Sequence, residues 1–150
     1  MKIAIVKLSA LGDIVHAMVA LQFLKARFSD LQIDWLVEER FADLLRENPH
    51  ISNVLTVNLK AAKTNKLAIF NEIKTVQNYA QENYDLVIDA QGLLKSAITA
   101  RFLGKNVAGF DKNSIREPLA SLLYKKKIAC AYEENTIDRN CAVLDRKSVV

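Results

Sequence analysis

The feature that most constrains this chain lies at its start. Residues 2–7 (KIAIVK) form a short apolar run rich in β-branched side chains, which stops at a loop of small residues, 9–13 (SALGD). Apolar Ile14, Met18, Leu21 and Leu24 then return at three- and four-residue steps. The first run reads as a strand buried on both faces, and the change of period over residues 13–28 reads as a helix packed on a sheet. A chain that repeats this strand, tight loop and helix builds a parallel sheet by helical crossovers.

The unit does repeat. Residues 32–37 (QIDWLV), 53–57 (NVLTV), 85–89 (DLVID) and 106–109 read as further strands, and 39–46, 64–82 and 93–103 as helices between them. No Asn-Gly or Asp-Gly hairpin signal separates the strands. Right-handed crossovers then give a doubly wound, Rossmann-like sheet in the order 3-2-1-4-5, with its crevice at the carboxyl ends of strands one and four. Residues 116–123 and 136–144 look helical, and no sixth strand is evident before residue 150.

At 150 residues, 51% hydrophobic and 25% charged, the chain has the size and composition of one globular domain, which excludes disordered and collagen-like classes. No window approaches the roughly 18 apolar residues of a membrane span, and the apolar start is too short for a secretion signal, so the chain reads as cytoplasmic. Cys130 and Cys141 show no CxxC spacing and no nearby histidine pair, and His16 and His50 lie on different elements, which disfavours a metal cluster. His16, one turn beyond Asp13, suits packing or orienting the loop.

Two loops meet at the expected crevice. Residues 8–13 lack the three glycines of a dinucleotide fingerprint and the Gly-Lys-Ser/Thr of a P-loop. They keep Gly12, which permits a tight turn, and Asp13 at a helix start. Asp13 is either the helix N-cap or a carboxylate aimed into the crevice, able to take a proton from an attacking hydroxyl. Across the crevice, residues 89–96 (DAQGLLKS) offer Gln91, Gly92 and Lys95 to a polar ligand; the alternative reading has Asp89 only ending its strand and Lys95 only facing water.

Lys60, Lys63 and Lys66 follow the third strand at the same edge, and Arg116 opens the segment after the fifth. Their shared target reads as phosphate or carboxylate. The run 101–127 concentrates basic residues within a net charge of +4, as either an anion-binding region or a set of solvated helix faces. Nucleic acid is disfavoured, because aromatic residues do not interleave with these cations as base stacking requires.

The blocks KLSALGDIVHAMVALQFLK, DWLVEE, YDLVIDAQGLLKSA and REPLASLLY, spread in order over residues 2–124, closely resemble the N-terminal half of the lipopolysaccharide heptosyltransferases of glycosyltransferase family 9. The resemblance implies the N-terminal, acceptor-side domain of a two-domain GT-B enzyme, with residues 1–150 forming that domain and a donor-binding domain absent. It implies transfer of heptose from ADP-heptose to the Kdo sugar of Kdo2-lipid A, with no metal and no cofactor. The setting implied is lipopolysaccharide inner-core synthesis, peripheral on the cytoplasmic face of the inner membrane. Any membrane contact is expected to be electrostatic, since no stretch is long or basic enough to insert.

Residue by residue, Asp13 matches the family's catalytic aspartate in LGD. Ser9, Lys60, Lys63, Gln91, Lys95 and Arg116 become candidates for holding the acceptor. Lysines stand at 60 and 63 where arginines are familiar, and Val19 where proline is usual. Without the donor half, the fragment alone is expected not to turn over. The alternative is a non-catalytic module that docks a partner through an apolar surface. A general phosphate-binding Rossmann domain is disfavoured by the missing glycine-rich loop.

Overall fold

The computed structural model describes residues 1–130, 138, 141 and 142. The expected helix over 136–144 therefore falls largely outside the described residues. Six parallel strands form one sheet in the order β3-β2-β1-β4-β5-β6. These are β1 Lys2–Val6, β2 Gln32–Glu38, β3 Asn53–Val57, β4 Leu86–Asp89, β5 Val107–Phe110 and β6 Lys126–Ile128. The predicted order 3-2-1-4-5 holds. A sixth strand, β6, extends it, pairing Ala108 with Lys126 and Phe110 with Ile128. A strand of three residues, two of them lysines, carries too little apolar pattern to stand out in the sequence.

Helix α1 (Leu11–Arg27) turns Ile14, Ala17, Leu21 and Leu24 onto the sheet, the stripe that the spacing predicts. The remaining crossovers are α2 (Ala42–Arg46), reached through a 3-10 turn at Glu39–Phe41, α3 (Leu59–Ala62), α4 (Lys66–Ala80) and α5 (Leu94–Leu103). The predicted 64–82 helix is thus α4, preceded by the extra turn α3. Asn58 and Asn65 accept from the backbone N–H groups of Ala61 and Leu67, so each short helix has its own side-chain cap. Residues 118–123 form a 3-10 helix, Pro118–Leu123.

The central strands are sealed on both faces. Ile3, Ile5, Trp35, Leu36, Val87 and Ile88 have no exposed surface, as a parallel sheet covered by helices requires. At the amino edge, buried Asp34 accepts from the Tyr84 hydroxyl at 2.6 Å and the Asn53 amide at 2.9 Å, and Lys2 lies 3.5 Å away. Burial, then the bond to Asp34, pushes the Tyr84 phenol far up. This cluster serves the fold, at the end of the sheet opposite the crevice.

Candidate active site at the switch point of the sheet

Winding reverses between β1 and β4, whose register pairs Val6 with Asp89. The loops that leave these two strands are tied together. Ala90 N–H donates to the Val6 carbonyl at 3.0 Å, Lys7 Nζ donates to the Ala90 carbonyl at 2.9 Å, and Gln91 Oε1 accepts from Leu8 and Ser9 N–H at 3.1 and 3.3 Å. Gln91, read from the sequence as a ligand contact, spends its carbonyl on the β1–α1 loop. It holds the loop in place and has an amide NH₂ left over.

Asp89 is fully buried and takes no part in an open site. Its carboxylate accepts from Gln91 N–H (2.9 Å), Gly92 N–H (3.3 Å), the Ser96 hydroxyl (2.9 Å) and the Tyr124 hydroxyl (2.6 Å). Burial pushes the Asp89 carboxyl up, and the donors, Tyr124 first, pull it back. The structure thus selects the strand-terminating role for Asp89. Gly92 has φ +73°, and a Cβ there would stand 2.7 Å from Ile115 Cγ2, so glycine is required on both counts.

Asp13 is not the N-cap. The capping position belongs to Ala10, in extended conformation and with no side-chain cap bond, and Ile14 N–H closes the first turn on the Ala10 carbonyl. Asp13 is the third helical residue, half-buried, and its carboxylate makes no hydrogen bond or ion pair among the described residues. The capping reading fails because the helix starts two residues earlier than the apolar spacing suggested. Gly12 sits inside the helix with nothing within 4 Å of where its Cβ would be, so no tight turn requires it. His16 is exposed and makes no hydrogen bond among the described residues, so nothing described there lets it pack or orient the loop.

A cleft of about 580 Å³ opens at the same carboxyl edge, between β2, α3, α4 and α5. It brings together Ser9, Lys60, Lys63 and Lys95, four of the seven residues singled out from the sequence. Asp13, Gln91 and Arg116 do not line it. Arg116 is exposed in the bend before the 3-10 helix rather than within it, so its predicted place at a helix start is corrected. Lys66, at the start of α4, also lies off the cleft.

Sequence reasoning missed Glu38, Arg40 and Glu72, which line the cleft as well. Glu38 ends β2 and is buried, accepting from Leu59 N–H, while Glu72 accepts from Asn58 N–H at 2.9 Å. Burial raises the Glu38 carboxyl above its usual value, and Lys95 and Arg40 act against that rise. An acidic residue following the apolar run Trp35 to Val37 at the carboxyl edge of β2 was the available signal. Among the described residues no group of three or more His, Cys, Asp or Glu could hold a metal ion, and no helix is long and apolar enough to cross a membrane.

A doubly wound domain with a carboxylate unpaired among the described residues beside its switch point, and a cleft carrying four cations at the same edge, has the architecture of a ligand-binding α/β domain. The profile of glycosyltransferase family 9 (heptosyltransferase) matches residues 73–148, half of the chain. The chain belongs to that family, as the sequence blocks led us to expect. It is 42% identical over 139 residues to lipopolysaccharide heptosyltransferase 1 of Campylobacter coli, covering 93% of this chain and 39% of that protein. Against the Pseudomonas aeruginosa lipopolysaccharide heptosyltransferase 1 it is 38% identical over 143 residues, covering 93% and 40%. The E. coli heptosyltransferase WaaC, solved with ADP-2-deoxy-2-fluoro heptose, superposes with a TM-score of 0.92 at 33% identity, over 99% of this chain and 48% of that one. The chain therefore spans less than half the length of these relatives. MurG of Acinetobacter baumannii, at 17% identity and a TM-score of 0.63, shares the fold alone.

Proposed function

We propose that this chain is the acceptor-side, N-terminal domain of an inverting GT-B heptosyltransferase. The full reaction moves heptose from ADP-heptose to the Kdo of Kdo2-lipid A, on the cytoplasmic face of the inner membrane. One observation carries the reading: Asp13 presents a carboxylate with no partner among the described residues, in the first turn of α1, beside open space at Gly12 and on the edge where the lysine-lined cleft opens.

In this reading Asp13 is the general base. It takes the proton of the acceptor hydroxyl as that oxygen bonds to the anomeric carbon of heptose. The bond from that carbon to the diphosphate breaks on the opposite face, ADP leaves with the electron pair, and configuration inverts. Lys60, Lys63, Lys95 and exposed Arg116 hold the acceptor's carboxylates and phosphates. Gln91 and Asp89 act through the loop. A second domain binds the sugar nucleotide, consistent with the nucleotide-sugar analogue held by the E. coli relative.

The test joins this chain to the donor-side half of the E. coli relative and measures heptose transfer to a soluble Kdo glycoside. Transfer that falls about 10²- to 10⁴-fold in Asp13→Ala, with folding and acceptor binding retained, supports the base. Activity near the unmodified level sinks it. Exposure of Leu119 and Leu122, at 65% and 71%, favours a second reading as a docking module. Concentration-dependent light scattering abolished by Leu122→Ser would support that reading.

A further inference from the structure

The cleft is lined in a way that sugar recognition does not explain. Hydroxyl-rich ligands need many hydrogen-bonding partners. Here most of the wall between α4 and α5 is aliphatic or aromatic: Ile69, Ile73, Val76, Ile98 and Phe102. The two cleft carboxylates with recorded backbone partners, Glu38 and Glu72, already hold the start of α3. The cations Arg40, Lys60, Lys63 and Lys95 complete the lining.

Helix α4 adds a second anomaly. Ile69, Ile73 and Val76 follow the helical repeat along the cleft, whereas Leu67 and Phe70 lie off it, 72% and 64% exposed. The first turns of α4 are thus apolar on two faces, one lining a cleft and one in water, beside Lys63 and Lys66. A helix that only covers a sheet needs one apolar stripe. Apolar side chains left in solvent beside cations match an anionic lipid layer.

We propose that the groove between α4 and α5 takes an aliphatic chain of the anionic lipid whose head the lysines hold, with Leu67 and Phe70 meeting the lipid layer around it. This rests on the reading of the cleft as an acceptor site and extends it from the sugar to the chain. The charges select an anionic amphiphile, and the exposed pair on α4 selects a lipid in a layer over a free fatty acid.

The experiment measures binding of octyl phosphate, butyl phosphate, inorganic phosphate, octanoate and octyl glucoside to this chain by calorimetry, each below its micelle concentration. Octyl phosphate should bind at least about tenfold more tightly than butyl phosphate, since four fully buried methylenes give about 200-fold and four half-exposed ones still slightly more than tenfold. Ile69→Ser and Phe102→Ser replace side chains that are already 42% and 39% exposed, so the fold should survive, and each should remove most of the chain-length gain. Inorganic phosphate affinity should stay unchanged. Equal affinity for the two alkyl phosphates, octyl glucoside binding as tightly as octyl phosphate, or octanoate binding more tightly than octyl phosphate would each overturn the proposal. Chain-length-dependent binding without heptose transfer by the joined enzyme would keep this inference and sink the functional reading; transfer without it would do the reverse.

Discussion

Tyr124 donates its hydroxyl to Asp89 at 2.6 Å, across 35 residues of sequence, and thereby locks the segment leading into β6 onto the end of β4. The phenol ring lies flat against Gly109 of β5, where an added Cβ would stand 2.5 Å from it. Burial and the charge of Asp89 push the Tyr124 phenol far up, so it remains a donor at any working pH. Tyr124→Phe should cost about 1.5–3 kcal/mol, the usual worth of a buried hydrogen bond to a charged group. Gly109→Ala should cost about 1–3 kcal/mol by displacing the ring. Urea unfolding midpoints check both, and an unchanged midpoint in either would remove that contact from the account of stability.

Gly12 gives the opposite expectation. Alanine fits there without a contact inside 4 Å, in a helix where glycine is the poorer residue. Gly12→Ala should stabilise the fold by about 0.5–1 kcal/mol. If the open space admits substrate, the same change should lower heptose transfer in the joined enzyme. Stability and activity moving together would mean that the space is idle.

Asp13→Asn removes a charge that no other described side chain uses. Only the weak attraction to the start of α1 is lost, so the melting temperature should shift by less than about 4 °C while transfer collapses. A large loss of stability would mark the aspartate as structural.

The buried Glu38 sets a pH dependence. Its carboxyl is raised in the folded chain from the usual 4.5, chiefly by burial. The folded state therefore holds that proton more tightly than the unfolded one, and stability falls as pH rises from about 4.5 through the raised value. Glu38→Gln keeps an oxygen for Leu59 N–H and removes the titration. Melting curves at about pH 4 and pH 7 should show a smaller pH difference in the variant, with the variant at least as stable at the higher pH. An unchanged difference would assign the dependence to another group.

Gln91→Ala leaves the N–H groups of Leu8 and Ser9 without their acceptor at the switch point. A loss of about 1–3 kcal/mol is expected, and Gln91→Glu, which keeps the acceptor, should recover most of it. Amide exchange at Ser9 reads the effect locally, and equal protection in Gln91→Ala and the parent would release the loop from this clamp.

The sheet order was legible because β1 to β5 are each mostly apolar and α1 and α4 carry a clear period. β6 escaped because its three residues include two lysines, so the basic run 101–127 proved to be partly strand rather than only helix faces. Lys60, Lys63, Lys95 and Ser9 were found from topology, which sends every loop after a strand to one edge. Asp13 was placed correctly at that edge but misread as a possible cap, since periodicity locates the buried face of a helix better than its first residue. The partners of Asp89, Gln91 and Glu38 could not be read, because each depends on atoms brought together from segments far apart in the chain.

Arg116 is exposed, yet its neighbours are fixed. Ile115 packs beneath Gly92, and Glu117 accepts from Leu94 N–H at 2.5 Å, fastening the bend to the start of α5. The guanidinium thus stands on an anchored backbone, and gripping an anion would freeze side-chain rotamers without also ordering a loop. In the proposed acceptor-holding role, affinity at this position would lean on two residues that carry no positive charge: loosening either anchor would weaken an arginine whose own chemistry is untouched.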